Sequence, residues 1–389
     1  MHGMKILFCN DSYPGTFGKM PAQLASKPEN SVMFLSFHPR REEMPSGVIH
    51  ARLNLARHRE PLPPNRDAFV FEWEKMLNLG KQALQTFTHI RDAGFVPDMI
   101  FVSFFDGPAF FLRHAFPHAF IVSSFRGFRL SSEADNVRFE AVMDMQKMMA
   151  VQSDLYFVRS EGQKKHFPSS LQSLIHIWPP YVNTEFFMPQ PRKLSTFFPE
   201  AVDDGELVTV HMKVGGDASK KMIHLVIGLL THRPQCRIAL TFGSDAYRDR
   251  WMQVYRMLPE DVRRRIFPVG GLDTATYRTL LCSSTVHVFP EYTIPPLQEM
   301  LESMSCGTLL MMPVPDGDDE FFHDGSTMIA LPKDDRRQVE AIGRVLDHRE
   351  DFNGIRRNAR EMIVEHCSEQ AAVAGQMAFV MEEYRKAGK

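Results

Sequence analysis

Short apolar blocks alternate with longer stretches of helical spacing along the first 180 or so residues of the chain. Lys5–Cys9, Ser31–Phe37, Asp98–Phe104, Phe120–Ser124 and Leu155–Arg159 read as buried strands, with one short strand more near Val48 inside a Pro-, Arg- and His-rich loop over 38–66. Helices are expected from about Lys19 to Ser26, from 108 to 115, and over Glu133–Ser153. The longest helix spans Asp67 to Gly94, where Trp73, Met76, Leu77, Ala83, Leu84, Phe87 and Ile90 recur at helical spacing. Asp67 suits its N-cap and Gly94 the left-handed position after its end. Strands alternating with helices imply a parallel sheet covered on both faces.

The pattern changes over 178–200, where WPPYVNTEFFMPQPRK is rich in Pro and polar residues and reads as a linker. A second alternating unit follows. Strands are expected at Leu207–Met212, Arg237–Phe242, Ile266–Val269, Val286–Phe289 and Thr308–Met312, and helices at Lys221–His232, Asp245–Met257, Asp273–Cys282 and Pro296–Cys306. The chain is mostly helical from Gln338. The expected organisation is α/β: an N-terminal domain over 1–182, a C-terminal domain over 183–366, and a final helix over 367–389 that packs back on the first domain. Two such doubly wound units face a central cleft, with ligands at the carboxyl ends of the strands.

Composition narrows the function. A chain of 389 residues with 44% apolar and 24% charged residues is an ordinary globular protein, long enough for two domains. Its net charge of −2 gives no electrostatic case for nucleic acid. The five cysteines are scattered without CxxC spacing, which argues against a disulfide framework or zinc site and fits a reducing cytoplasm. The opening MHGMKILFCN reads as a first buried strand rather than a signal peptide. No apolar run approaches the roughly 18 residues that span a bilayer, which leaves room for peripheral association at the inner membrane and no more. Nothing fixes the oligomeric state.

The stretch 287–315, HVFPEYTIPPLQEMLESMSCGTLLMMPVP, carries the most chemistry. Pro296 suits the first turn of a helix whose buried stripe is Leu297, Met300, Leu301 and Met304. The free N–H groups and positive dipole end of that helix suit a diphosphate. A glutamate on it can accept hydrogen bonds from two adjacent ribose hydroxyls. On spacing alone, a solvated helix face explains the glutamates equally well.

Further motifs carry a family resemblance. Glu302-Ser-Met-Ser-Cys306-Gly307 resembles the E-A-M-A-C-G signature of the group-1 (family 4) glycosyltransferases. Glu320-Phe-Phe-His-Asp324-Gly325 resembles their E-x-I-x-D-G segment, Ile329–Pro332 the strand after it, and Val182-Asn-Thr-Glu-Phe186 their linker. MKILFCNDSYPGTFG resembles their first strand and Gly-containing loop. The resemblance runs in order over essentially the whole chain. It implies a GT-B fold, a nucleotide-diphosphate-sugar donor held by the C-terminal domain, and a glycan, lipid-linked or protein acceptor held by the N-terminal one. It further implies retention of anomeric configuration, no metal or other cofactor, and a role in bacterial surface polysaccharide or protein glycosylation. On the same carry-over Glu302 binds the donor ribose, and Pro296 and Leu297 face the diphosphate and sugar.

Three departures qualify this. The glutamate that many members carry eight residues before the one matching Glu302 is Ile294 here, while Glu291 and Glu299 form an E-x7-E pair three residues out of register and are candidates near the reacting sugar. The usual Arg and Lys after the first C-terminal strand are replaced by HMKVGGDASKKM, where Lys213, Lys220 or Lys221 could supply positive charge as point cations. Near the end of the strand Asp98–Phe104, where the family often carries a His, this chain has Ser103, with Asp106 just beyond as a candidate polar group or as a turn-forming Asp-Gly pair. Gly15 allows close backbone approach to a ligand or a plain turn. Arg126 and Arg129 suit an anionic acceptor or a surface loop, and Asp316-Gly-Asp318 reads as a loop. A catalytically weak GT-B binding module is the alternative to an enzyme; an epimerase of the same fold is a third reading.

Overall fold

In the computed structural model the chain divides into two compact units, Met1–Pro180 with Ala372–Lys389, and Tyr181–Ala371. The structure describes residues 3–13, 15–38, 43–53, 66–103, 107–125, 144, 147–165, 167–178, 180–212, 217–242, 245–290, 297–314 and 321–389.

The first unit runs β1 (Lys5–Asn10), α1 (Met20–Ala25), β2 (Ser31–Ser36), β3 (Val48–Arg52), α2 (Ala68–Asp92), β4 (Met99–Ser103), α3 (Leu112–Ala115), β5 (Phe120–Ser124), β6 (Leu155–Val158), α4 (Glu161–Lys165), α5 (Ser169–Gln172) and β7 (Ile175–Ile177). Its strands form one sheet in the order β3-β2-β1-β4-β5-β6-β7, and every pair is parallel. Strand periodicity sorts β1 cleanly: Leu7 and Cys9 enter the core under α2 with Ala83 and Phe87, while Ile6 and Phe8 enter the core on the other face with Phe17 and Met20. Asp67 caps α2 by accepting a hydrogen bond from Val70 N, and Gly94 ends it at φ +92°. Strand β7 was not expected from the sequence; three residues with His176 at the centre give no apolar run to read.

The second unit runs β8 (Leu207–Met212), α6 (Asp217–His232), β9 (Arg237–Phe242), α7 (Asp245–Met257), α8 (Glu260–Arg263), β10 (Ile266–Pro268), α9 (Thr274–Ser283), β11 (Val286–Val288), α10 (Leu297–Ser305), β12 (Leu309–Met312), β13 (Ile329–Ala330), α11 (Asp335–Asp347) and α12 (Asn353–Cys367). Its parallel sheet has the order β10-β9-β8-β11-β12-β13. Leu309 and Met311 enter one core with Val208, Val210 and Met212; Leu310 and Met312 enter the other with Met300, Met304 and Ile363. The Pro-rich stretch expected as a linker is packed into this unit from Tyr181 on, where Leu194, Phe197 and Phe198 are buried and both phenylalanines contact Phe267, while Trp178 lies in a core of the first unit. Its aromatic residues outweigh its prolines.

The last helix, α13 (Glu369–Lys386), joins the first unit from Ala372 onward. Val373 and Val380 are buried in the core that contains Phe8, and Tyr384 meets Phe120 edge-on at 5.4 Å.

Phe101 anchors this core. It stacks on Phe8 at 4.8 Å and meets Trp178 edge-on. Phe101→Ala is expected to cost about 3–5 kcal/mol, read as a lower urea midpoint for the first unit by tryptophan emission; a loss below about 1 kcal/mol would contradict this packing.

Candidate functional site

Both sheets reverse their strand order once, between β1 and β4 in the first unit and between β8 and β11 in the second. The carboxyl edge at such a reversal is where open α/β sheets hold ligands.

At the second reversal a single carboxylate gathers three strands. Glu299, on the first turn of α10, accepts a hydrogen bond from Thr241 Oγ1 at the end of β9 (2.7 Å). Its other oxygen lies 3.0 Å from His211 Nδ1 of β8. His287 Nε2 of β11 is 3.4 Å from Glu299 Oε1, an ion-pair distance without hydrogen-bond geometry. Proton placement follows from Ser303. Its hydroxyl donates to the Glu299 carbonyl (2.8 Å), so it accepts from His287 Nδ1–H at 2.7 Å. Both imidazoles lie against the Phe289 ring, at 5.3 and 4.4 Å.

Burial alone would raise the Glu299 carboxyl, but the contact with His211 Nδ1 and the nearby His287 imidazole outweigh it and hold the group well below the usual carboxylate range. Burial in turn lowers His287, against the raising effect of Glu299. Beside this cluster is a cavity of about 370 Å³ lined by Thr241, Phe242, Arg248, Val269, Gly270, Gly271, Tyr277 and Glu299. Gly271 sits at φ +64°, a conformation that favours glycine. The Tyr277 hydroxyl is pushed well above its ordinary value by burial and then by the charges of Glu299 and Glu302.

Glu302 lies one turn further along α10. Its Oε1 accepts from Gln298 Nε2 (2.9 Å), and Gln298 is also within 3.2 Å of the Tyr181 carbonyl. Burial drives the Glu302 carboxyl up to about 7; the Gln298 hydrogen bond opposes this and the Glu299 charge adds to it. Leu297 opens α10 with its side chain in the core.

At the reversal in the first unit, Asn10 of β1 stands beside Ser103 of β4. Ser103, where a His was expected, shares a hydrogen bond with Thr16 at 3.0 Å. Gly15 holds φ +56° and packs so closely on Asn10 that an added Cβ would lie 2.3 Å from its amide nitrogen. The Asn10 amide nitrogen is buried without a partner among the described residues.

Sequence reading missed Asn10, His211, Thr241, Tyr277, Arg248 and His287. For Asn10, His211, Thr241 and His287 the isolated polar residue in an apolar strand was the available signal; Arg248 and Tyr277 lie on helices and gave none. Lys213, Asp106, Glu291, Ile294, Pro296, Arg126, Arg129, Asp316, Asp318 and Glu320 lie outside the described residues, as do the side chains of Lys220 and Lys221, whose backbone belongs to α6. Among the described residues no group of three or more His, Cys, Asp or Glu is placed to hold a metal ion, and no helix is long and apolar enough to cross a membrane.

Residues 28–187 match the family model of the glycosyl transferase family 4 group. No curated protein matches the chain in sequence. Among solved structures, the sucrose-phosphate synthase of Thermosynechococcus elongatus superposes with a TM-score of 0.74 at 18% identity, covering 99% of this chain and 100% of that one. HepE of Anabaena in complex with UDP and glucose gives 0.68 at 14% identity, covering 97% and 99%. The catalytic domain of starch synthase IV of Arabidopsis thaliana, bound to ADP and acarbose, gives 0.68 at 10% identity, covering 99% and 100%. The resemblance to group-1 glycosyltransferases and the GT-B fold drawn from the motifs are therefore borne out.

The Glu299 cluster predicts a stability signature. Glu299→Ala leaves two buried imidazoles without their carboxylate and is expected to cost about 3–5 kcal/mol. The native Glu299 carboxyl lies below its ordinary value of 4.5, so its stabilisation is complete above that pH and drains away as pH falls toward the native value. Urea midpoints from pH 7 to pH 3 should fall steeply in the wild type and less in Glu299→Gln; equal slopes would sink the assignment.

Proposed function

We propose that the protein is a glycosyltransferase that moves a sugar from a nucleotide-diphosphate donor to a hydroxyl acceptor with retention of configuration. The observation that carries this reading is the cavity at the β8–β11 reversal, lined by Glu299 of α10, with Glu302 one turn beyond the lining on the same helix and of opposite disposition. Both Glu299 oxygens are engaged by Thr241 and His211, whereas Glu302 has one oxygen on Gln298 and spare acceptor capacity. Glu302 is thus the better partner for two ribose hydroxyls, and Glu299 positions the cluster around it.

In this reading the nucleoside occupies the cavity lined by Thr241, Gly270, Gly271 and Tyr277. Fold relatives bound to UDP or ADP support a nucleoside diphosphate as the ligand class. The amides opening α10, with Pro296 and Leu297, face the diphosphate, and Lys213, Lys220 and Lys221 neutralise it without a metal. Stabilising the departing diphosphate is the main catalytic term. Glu291 stands as the candidate near the reacting sugar. The N-terminal unit takes the acceptor, with Arg126, Arg129 and Asp106 as candidate contacts and Gly15 allowing close approach. Surface polysaccharide or protein glycosylation is the setting this reading favours.

Two measurements test it. Titration with a panel of nucleotide sugars should show saturable binding, and acceptor extracts should then release nucleoside diphosphate. Binding without turnover would favour the inactive binding module. Glu302→Ala should weaken donor binding by roughly 10- to 100-fold, the loss of about 1.5–3 kcal/mol for hydrogen bonds to a charged group. Glu302 titrates near 7, and its ionised form is the better acceptor, so donor affinity should rise roughly tenfold from pH 6 to 8 and stay flat in Glu302→Gln. A pH-independent wild type would remove Glu302 from the donor site.

A further inference from the structure

The second unit carries a larger cavity on the opposite edge of its sheet. It measures about 810 Å³ and is reached by the residues just before three strands: Asp204 before β8, Thr285 before β11, and Gly307 before β12. Five arginines line it, Arg192, Arg349, Arg356, Arg357 and Arg360.

Their partners leave positive charge over. Arg356 donates to the carbonyls of Arg349 (2.7 Å) and Thr285 (3.2 Å) and to Asn353 Oδ1 (3.1 Å). Arg360 donates to the carbonyls of Phe187 (3.2 Å) and Ser305. Arg192 donates to the carbonyls of Ser283 (2.8 Å) and Gly205 (2.6 Å), and its carboxylate partner is Asp204, whose side chain is 92% exposed. Among the described residues no carboxylate pairs with Arg356, Arg357 or Arg360. The remaining acids of the lining are Glu350, which accepts from Asn353 Nδ2, and Glu361 and Glu365, exposed on α12.

Carbonyl dipoles orient these guanidinium groups but do not cancel their charge. Burial lowers the proton affinity of Arg192, Arg356 and Arg360, and Arg349 and Arg192 add like-charge repulsion to the first two respectively. Half-buried cations in a concave wall are stabilised by an anion that accepts several N–H bonds together. The start of α12 lines the same wall through Asn353. The volume exceeds what an isolated phosphate fills.

From this we infer that the cavity is a second binding site, for a phosphate monoester or diphosphate of a small molecule, on the sheet edge away from the donor. The ligand's phosphoryl group sits among Arg356, Arg357 and Arg360, and the rest of the molecule fills the wall formed by Pro189 and Val364. The inference does not rest on the glycosyl-transfer reading, because its residues serve no part of that site.

Calorimetric titration of the full chain with inorganic pyrophosphate tests it, with sedimentation on phosphatidic-acid vesicles as a second arm that distinguishes a lipid headgroup from a soluble ligand. Arg357 is exposed and makes no hydrogen bond or ion pair among the described residues, so Arg357→Glu is expected to leave the fold intact. It should weaken binding at least tenfold, and pyrophosphate held at the donor edge would not respond to it. Arg356→Lys, which keeps the charge and loses the fork, should weaken binding less. Loss of either response in Arg357→Glu supports the site, and the arm that responds names the source. Absence of binding to both probes, or binding unchanged in Arg357→Glu, would overturn it.

Discussion

The geometry of the second unit's carboxyl edge depends on one buried anion. Glu299 sits on a helix that packs through Leu297, Met300, Leu301 and Met304, and apolar contact by itself has no direction. A carboxylate removed from water does have one, because it is tolerated only where donors meet it. Those donors come from Thr241 and His211, on β9 and β8, while His287 of β11 completes the cluster. The register of α10 against the sheet is therefore set by polar partners at the strand ends, and the apolar stripe supplies the contact area. Once Glu299 is fixed, Glu302 follows, three residues on and along the same side of the helix.

The same burial acts on both glutamates with opposite results. Donors from neighbouring strands hold Glu299 ionised, whereas Glu302, with one amide partner and a charged neighbour, is driven up to about 7. Adjacent titratable groups pushed apart by their surroundings mark division of labour. One carboxylate is committed to the architecture. The other keeps unfilled acceptor sites and a carboxyl raised to about 7, which is what the proposed donor contact requires.

Much of this fold was legible from pattern alone. Strands β8 and β9 and helix α7 fall where their apolar spacing put them, and Asp67 and Gly94 bound α2 as expected. The Glu299 cluster was not legible, because its members are far apart in sequence and each is locally unremarked: a lone His in VHV, a His before the last residue of β8, a Thr before the last residue of β9. A shared site among them exists only after the β8–β11 reversal brings the strands together. The arginine-lined cavity was hidden for the same reason, since Arg192 and Arg360 meet through loops and a helix distant in the chain. Motif reading singles out Glu302 because its signature is contiguous.

The first unit shows the same logic with weaker chemistry. Its reversal places Asn10, Ser103 and Thr16 together, and Gly15 leaves room for the Asn10 amide. Ser103 holds the place of a histidine in the resembling family, and two hydroxyls 3.0 Å apart do not exchange protons readily near neutral pH as an imidazole does. A transfer driven by stabilising a departing diphosphate makes its largest demand on positive charge and oriented amides, not on a base at this position. Under the proposed function, the Ser103 departure would bear on how an acceptor is held, and the sequence departure at Ile294 on the reacting sugar. The orphan amide of Asn10, buried and facing the Gly15 loop, is a group at this reversal that keeps unused hydrogen-bonding capacity among the described residues.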